Sequence, residues 1–267
     1  MGGTGATIMN EVSPKIVKKI QTIAQIAAEL RQGRDFNITR LTLLKSLCSD
    51  PDAAAMLAEQ GRTMMPDNPD RQRFQAAYQG KPPWNLGRPQ PAFVQIADQI
   101  TGSVLDAGCG TGDNALFFAR RGQPVVGIDF VEFPIMEARR KAEKLGVEAE
   151  FLQMDALKLA SLDRQFDRVL DCGLFHVLSD EDRRAYVAGL AHVTKPGGKI
   201  FLMCFSDQEP AGQGPRRIRQ DEIRAAFVDG WTVESVMPTH FEPNPDSKDT
   251  FVDGGPRAWF AVIRRGS

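Results

Sequence analysis

From residue 102 onward, short apolar segments alternate with longer segments in which apolar residues recur at helical spacing. The short segments predict strands near 102–107, 124–129, 148–153, 166–172, 198–205, 231–237 and 258–264. The longer segments predict helices near 112–121, 132–145, 180–193 and 220–228. This alternation is typical of an α/β fold with a doubly wound sheet, in which ligands bind at the carboxyl ends of the strands.

The first part of the chain has a helical pattern of its own. Apolar residues between 14 and 31 form an amphipathic stripe, and two shorter helical patterns follow. The segment Pro-Asp-Asn-Pro-Asp at 66–70 interrupts this pattern and predicts a linker. We therefore interpret residues 1–65 as a helical N-terminal extension and residues 66–267 as a second domain. The extension is expected to pack on that domain or on another protomer, as in a homodimer; a separate interaction module is the alternative.

The segment at 104–114 is Val-Leu-Asp-Ala-Gly-Cys-Gly-Thr-Gly-Asp-Asn, a short strand, a glycine-rich turn and the start of a helix. Glycines at alternate positions allow a ligand to approach the backbone without Cβ clashes. A dinucleotide-binding oxidoreductase would instead have the spacing Gly-x-Gly-x-x-Gly, with a pyrophosphate at the helix N-terminus. Here the third glycine comes one residue early, and Asp106 has the wrong charge for a pyrophosphate. The segment favours a ligand with an amino-acid head and a sulfonium group.

This segment resembles the first motif of the class I S-adenosylmethionine (SAM) methyltransferases, and four more segments match that family in order. They are the strand ends at Asp129, Asp155 and Asp171 and the turn Lys-Pro-Gly-Gly-Lys at 195–199. The resemblance implies a Rossmann-like, seven-stranded, mostly parallel sheet whose last strand is inserted antiparallel. It also implies SAM as the cofactor and S-adenosylhomocysteine (SAH) as its product.

The resemblance also implies which residues bind the cofactor. Asp129 is expected to bind the ribose hydroxyls and Asp155 the adenine amino group, while Met154 packs on the adenine ring. Phe130 follows the ribose-binding acid and is expected to line the pocket. The full set lies in the glycine-rich turn, at the ends of the neighbouring strands and in an upstream proline-rich segment: Trp84, Asp106, Gly108, Gly110, Asp129, Phe130, Met154, Asp155, Ala156 and Asp171.

Two segments resemble a narrower group, the thiopurine, thiol and halide methyltransferase superfamily. Residues 82–91 are similar to the Trp-Asp-x-Gly-x-x-x-Pro segment that covers the cofactor in that group, with Asn85 in place of the aspartate. Residues 171–176, Asp-Cys-Gly-Leu-Phe-His, resemble a bacterial branch that O-methylates heterocyclic toxins such as hydroxyquinolones. The resemblance covers residues 78–265.

His176 is the candidate catalytic residue because it follows the fourth strand, beside the expected site of methyl transfer. An imidazole with its ordinary pKa of ~6.5 can take a proton from a hydroxyl as the oxygen attacks the methyl carbon. A structural histidine at the start of the next helix is the alternative. The expected reaction is in-line transfer of the methyl group from SAM to a hydroxyl of an aromatic or heterocyclic small molecule.

Composition limits the remaining possibilities. The 267 residues are 42% hydrophobic and carry a net charge of −1, which does not favour binding to nucleic acid or to an anionic membrane. The four cysteines have no metal-ligand spacing and no apolar run is long enough to cross a membrane, so we expect a cytoplasmic enzyme without a metal. Thiol or halide methylation, a SAM-binding scaffold protein and an NAD-dependent oxidoreductase are the alternatives.

Overall fold

The computed structural model describes residues 69–212, 214–250 and 254–267. The predicted N-terminal helices and the expected domain boundary between residues 65 and 66 lie outside these residues. The prediction of a helical extension over residues 1–65 therefore stays a prediction.

Within the described residues, seven strands form one sheet in the order β3-β2-β1-β4-β5-β7-β6. Strands β1 to β5 are mutually parallel, and β7 runs antiparallel between β5 and β6. The expected seven-stranded Rossmann-like sheet with an antiparallel last strand is confirmed. The strands are β1 Val104–Ala107, β2 Val125–Asp129, β3 Glu150–Gln153, β4 Phe166–Cys172, β5 Thr194–Phe205, β6 Trp231–His240 and β7 Arg257–Arg265.

The helices are α1 Pro69–Ala77, α2 Pro91–Gln95, α3 Asp113–Arg120, α4 Glu132–Leu145, α5 Asp180–Val193 and α6 Gln220–Ala226. Single 3₁₀ segments occur at Ala97–Gln99, Ala156–Ser161, Phe175–Val177 and Pro245–Thr250. In the described part of the chain, no helix combines the length and the apolar character needed to cross a bilayer.

Helices α3 to α6 confirm the four predicted helices, whereas α1 and α2 were not predicted. The linker prediction for residues 66–70 is wrong at its C-terminal end, because Pro69 begins α1. Pro91 begins α2 in the same way. The fixed φ of proline suits the first turn of a helix, where its missing N–H leaves no hydrogen bond unmade.

The apolar residues of the strands alternate between two clusters, as expected for a sheet covered on both faces. Leu105 packs in one cluster, where Tyr186 of α5 covers the sheet. Val104 packs in the other, where Phe118 of α3 covers it. All four residues are fully buried, so the strands and helices around the carboxyl edge of the sheet are held by a dense core.

The segment predicted as the turn into the fifth strand lies inside β5. Phe166 of β4 pairs with Thr194, but Arg168 pairs with Lys199, so residues 195–198 bulge out of the ladder. Gly197 in this bulge has a φ of +74°, a conformation that glycine adopts without strain. The local turn is thus correctly predicted, although the strand begins before it.

Candidate active site

The carboxyl ends of β1, β2 and β4 lie side by side, and each carries an aspartate. Ala107 of β1 pairs with Ile128 of β2 and with Asp171 of β4. Asp106 directly precedes Ala107 in β1, and Asp129 directly follows Ile128 in β2. This edge therefore brings three acids together where the strand order of the sheet reverses, the position at which α/β proteins bind their ligands.

The glycine-rich loop after β1 lies over the end of β2. The N–H of Cys109 donates to the carbonyl of Ile128 at 2.8 Å, and the N–H of Gly110 donates to Asp129 Oδ2 at 3.0 Å. Asp129 Oδ1 accepts from the N–H of Val131 at 2.9 Å. Asp129 thus ties the loop to the start of α4, and burial raises the pKa of its carboxyl to about 6.

The loop needs glycine for both conformation and space. Gly108 and Gly110 have φ values of +71° and +52°, where a residue with a Cβ is strained. A Cβ built on Gly110 would lie 2.9 Å from the hydroxyl oxygen of Tyr78, and one on Gly108 would lie 3.2 Å from Leu174 Cβ. A side chain at either position would clash with Tyr78 or Leu174, which pack closely on the loop.

Asp106 is 1% exposed, and its Oδ2 accepts from the N–H of Ala115 in the first turn of α3 at 3.1 Å. Burial, together with the charges of Asp171 and Asp129, raises the pKa of Asp106 to about 7. A buried carboxyl of this kind favours a cation beside it, because a positive charge stabilises the ionised form.

The residues expected to surround adenine lie beside Asp129. The N–H of Met154 donates to the carbonyl of Asp129 at 2.9 Å. Asp155 Oδ1 accepts from the N–H of Leu157 at 2.9 Å and caps the 3₁₀ segment that begins at Ala156. Met154, Asp155 and Ala156 are half-buried, so the structure brings them to the same edge as the ribose-binding candidate.

Trp84 lies in an aromatic cluster formed by residues 74, 78, 84, 130 and 133. Its ring meets the ring of Phe74 edge-on at 5.6 Å, and Phe74 in turn meets Phe130 at 5.8 Å. The indole Nε1 donates to the hydroxyl of Tyr78 at 3.2 Å. Trp84 is 48% exposed, so it is a surface residue linked through Tyr78 to the glycine-rich loop.

Tyr78 was missed by the sequence analysis, although its hydroxyl faces Gly110. It follows Phe74 by four residues, and this spacing just before the Trp84 segment is the signal that predicts a helix with one aromatic face. Burial and the charge of Asp129 raise the pKa of Tyr78 well above its ordinary value, so the hydroxyl stays neutral.

The segment after β6 is hydrogen-bonded to the proline-rich segment that contains Trp84. Gln90 Nε2 donates to the carbonyl of Glu242, and Gln90 Oε1 accepts from the N–H of Glu242, both at 2.9 Å. The N–H of Asn244 donates to the carbonyl of Pro83 at 2.8 Å. The N–H of Gln90 also donates to Asn114 Oδ1 at 3.0 Å, which fixes the segment to α3.

Asp171, the remaining acid of the predicted cofactor-binding set, is hydrogen-bonded on both carboxyl oxygens within the protein. Its side chain is fully buried, Oδ1 accepts from the N–H groups of Leu174 at 2.9 Å and Phe175 at 3.2 Å, and Oδ2 accepts from the hydroxyl of Tyr186 at 3.0 Å. Both oxygens are therefore used within the protein. Asp171 therefore holds the start of the loop that carries His176, and its contact with the cofactor stays a prediction.

His176 is 6% exposed and packs against the rings of Phe205, at 4.9 Å, and Phe241, at 5.9 Å, which also contact each other at 5.3 Å. Its Nδ1 accepts from the backbone N–H of Phe205 at 2.9 Å. Burial, together with the positive charge of Arg217, lowers the pKa of His176 to about 3. A ring with so low a pKa is a weak base and its Nδ1 already accepts a hydrogen bond, so this geometry does not favour the general-base role, which stays a prediction.

Known proteins share this arrangement. A family model described as a methyltransferase domain matches residues 104–198. The 2-heptyl-1-hydroxyquinolin-4(1H)-one methyltransferase of Mycobacteroides abscessus is 31% identical over 207 residues, which is 73% of this chain and 89% of that protein. An uncharacterized methyltransferase of Schizosaccharomyces pombe is 37% identical over 115 residues, 43% of this chain and 79% of that protein.

A solved structure from work on the conversion of a disulfide bond into a thioacetal group during echinomycin biosynthesis superposes with a TM-score of 0.67. It is 33% identical in sequence and covers 73% of this chain and 93% of that one. The agreement of fold, glycine-rich loop and sequence over this length establishes the family. The chain belongs to the SAM-dependent methyltransferases, and SAM is its cofactor.

Proposed function

We propose that this methyltransferase transfers the methyl group of SAM to a ring-attached oxygen of a flat aromatic heterocycle, the class that contains the 1-hydroxyquinolin-4-ones. The observation that carries the proposal is the position of His176, which packs against the rings of Phe205 and Phe241 beside Gly173, directly after β4. A flat acceptor packs favourably against such rings, and the histidine provides one polar group among them. The name of the Mycobacteroides relative supports the same acceptor class.

SAM supplies an activated methyl group, so the protein has mainly to bind both reactants in line and exclude water. We assign the ribose hydroxyls to Asp129 and the adenine to Met154, Asp155 and Ala156. The backbone of the glycine-rich loop would hold the methionine end. The buried acids Asp106 and Asp129 beside this loop fit a cationic ligand of this kind.

A panel of acceptors tests the proposed function. SAH release from SAM is measured with a 1-hydroxyquinolin-4-one, a phenol, an aryl thiol and iodide, and a quinolin-4-one without the N-hydroxyl group serves as the control. We expect turnover of the hydroxylated aromatic compounds and none of the control. Turnover of the thiol or of iodide alone would assign the protein to the soft-nucleophile methyltransferases instead.

Binding of the cofactor is expected to depend on pH. The pKa values of Asp106 and Asp129 are raised to about 7 and about 6, so both carboxyls lose their negative charge as the pH falls from 7 to 5. For each carboxyl that must be ionised to bind the SAM cation, the affinity falls about tenfold for every pH unit below the pKa of that carboxyl. Calorimetric titration from pH 5 to 8 measures this slope, together with the proton release that accompanies binding.

Two comparisons make the pH experiment specific. SAH lacks the sulfonium charge, so its affinity should change less over the same pH range. The variant Asp106→Asn removes one titrating group and should flatten the dependence for SAM. Parallel curves for SAM and SAH would contradict the assigned role of the buried acids.

We also propose that the enzyme acts in the cytoplasm and forms a homodimer through residues 1–65. The first point is supported by Cys109, Cys172 and Cys204, which are free thiols in the structure and are typical of a reducing compartment. The second is supported by the amphipathic stripe at residues 14–31. Light scattering on the full chain and on a chain that begins at residue 66 tests the dimer.

A further inference from the structure

The hydrogen bond between Phe205 and His176 fixes which ring nitrogen carries the proton. A backbone N–H can only donate, so Nδ1 of His176, 2.9 Å from the nitrogen of Phe205, must present its lone pair. The neutral ring therefore holds its proton on Nε2. A second proton on the ring would displace this hydrogen bond and place a charge among buried aromatic rings.

The Nε2–H group faces the edge of the sheet where the cofactor residues lie. A Cβ built on Gly173 would lie 3.5 Å from His176 Nε2 and 4.0 Å from Cζ of Phe241. The next residue, Leu174, contacts the glycine-rich loop at Gly108. Within residues 69–212, 214–250 and 254–267, Nε2 has no hydrogen-bond partner. The Nε2–H group is therefore a donor without an acceptor, and it lies beside Gly173 after β4.

The titratable groups around the ring offer no base. Asp171, at the end of β4, is occupied by three donors. Burial raises the pKa of the thiols of Cys172 and Cys204 far above neutrality. In the loop after β5, Asp207 accepts from Trp259 Nε1 at 3.1 Å and Glu209 accepts from the N–H of Arg257 at 2.7 Å.

Two further charged residues lie next to the rings that pack on His176: Glu242, which follows Phe241 and pairs with Arg88, and Arg217. The guanidinium of Arg217 lies 5.7 Å from the centre of the Phe205 ring, on which His176 packs. It is fixed by hydrogen bonds to the carbonyls of Pro210 at 2.8 Å and Pro215 at 2.7 Å. A positive charge and an N–H donor on the same aromatic pocket favour an anion over a neutral hydroxyl.

From this geometry we infer that His176 donates a hydrogen bond from Nε2 to the acceptor oxyanion, and that the enzyme selects acceptors whose hydroxyl ionises without an enzyme base. This inference rests on the proposed function. The acceptor proton leaves to solvent first. The oxyanion then forms the new O–C bond while the C–S bond breaks, and the electron pair of that bond remains on sulfur. N-Hydroxy groups conjugated with a ring carbonyl ionise more readily than simple phenols and fit this requirement.

A series of acceptors with graded acidity tests the inference on the unmodified enzyme. We expect the acidic limb of the pH profile of kcat/KM to move with the pKa of each acceptor. With SAM saturating at every pH, a limb that stays at one pH for every acceptor would show a base on the enzyme and overturn the inference. If no hydroxylated acceptor is turned over at any pH, the proposed function fails and this inference fails with it.

A second readout does not depend on turnover. The ultraviolet spectrum of an acceptor bound to the SAH-loaded enzyme reports its ionisation, and we expect the bound acceptor to ionise at a lower pH than in solution. His176→Phe should abolish most of this shift and lower kcat/KM about tenfold to a hundredfold, the usual effect of one hydrogen bond to a charged group. His176→Gln retains an acceptor for the Phe205 N–H and an N–H donor, so it should restore part of both.

The tautomer itself is measurable by nitrogen NMR of histidine-labelled protein. We expect the signals of His176 to show a proton on Nε2, an unprotonated Nδ1 and no titration between pH 5.5 and 8. A ring that titrates near pH 6.5 would overturn the inference, and this result is independent of whether the variants fold.

Discussion

Replacing Asp129 with alanine is expected to weaken SAM binding about 100-fold to 1,000-fold, because hydrogen bonds to a charged group contribute about 1.5–3 kcal/mol each. The variant loses the acceptor of the Gly110 N–H and of the Val131 N–H. It also removes the carboxylate that we assign to the two ribose hydroxyls. Isothermal titration calorimetry with SAM at pH 8, where Asp129 is ionised in the wild type, measures the effect.

The control for this experiment is an acid far from the carboxyl edge. Asp98 has a side chain that is 97% exposed and pairs with Arg121, so Asp98→Ala should bind SAM with the wild-type Kd. Asp129→Asn keeps one acceptor oxygen and should fall between the two. An Asp129→Ala protein that binds SAM within threefold of the wild type would rule out the assigned role.

The second large effect is expected for Asp171→Ala, which should lower the free energy of unfolding by about 3–6 kcal/mol, since each buried donor left unpaired costs about 1–3 kcal/mol. The donors are the N–H groups of Leu174 and Phe175 and the hydroxyl of Tyr186. For a domain of this size, Tm should fall by roughly 2–4 °C for each kcal/mol. Thermal unfolding followed by circular dichroism gives the value.

The variant Tyr186→Phe measures how much the tyrosine hydroxyl alone contributes to this loss of stability. It removes one of the three donors without opening a cavity, so it should cost only about 1 kcal/mol, near the average for one hydrogen bond. A variant Asp171→Ala that keeps the wild-type Tm but loses SAM affinity would contradict this structural role. It would support the predicted contact of Asp171 with the cofactor.

The regular part of the fold could be predicted because its signals are local. Strands buried on both faces appear as short apolar runs, and the glycines of the loop after β1 are required by backbone conformation. The positions of Asp106 and Asp129 follow from the same rule, since the carboxyl ends of neighbouring parallel strands share one edge. These features need no knowledge of distant contacts.

The chemistry of individual side chains could not be predicted in this way. Whether Asp171 or His176 faces a ligand depends on which groups donate to them, and those donors lie elsewhere in the chain. The N–H of Phe205, 29 residues after His176, decides its tautomer. Likewise, Tyr78 reaches Gly110 only because α1, which the linker prediction overlooked, brings it there.

Because β7 is inserted between β5 and β6, β6 can join the sheet only after β7 has been made. In the described part of the chain, β7 is the one strand that pairs with β6, and Phe241 directly follows β6. A chain growing on the ribosome can assemble β1 to β5 and the glycine-rich loop before residues 257–265 emerge. The residues assigned to the ribose and the adenine therefore emerge before Phe241, one of the two rings that pack on His176.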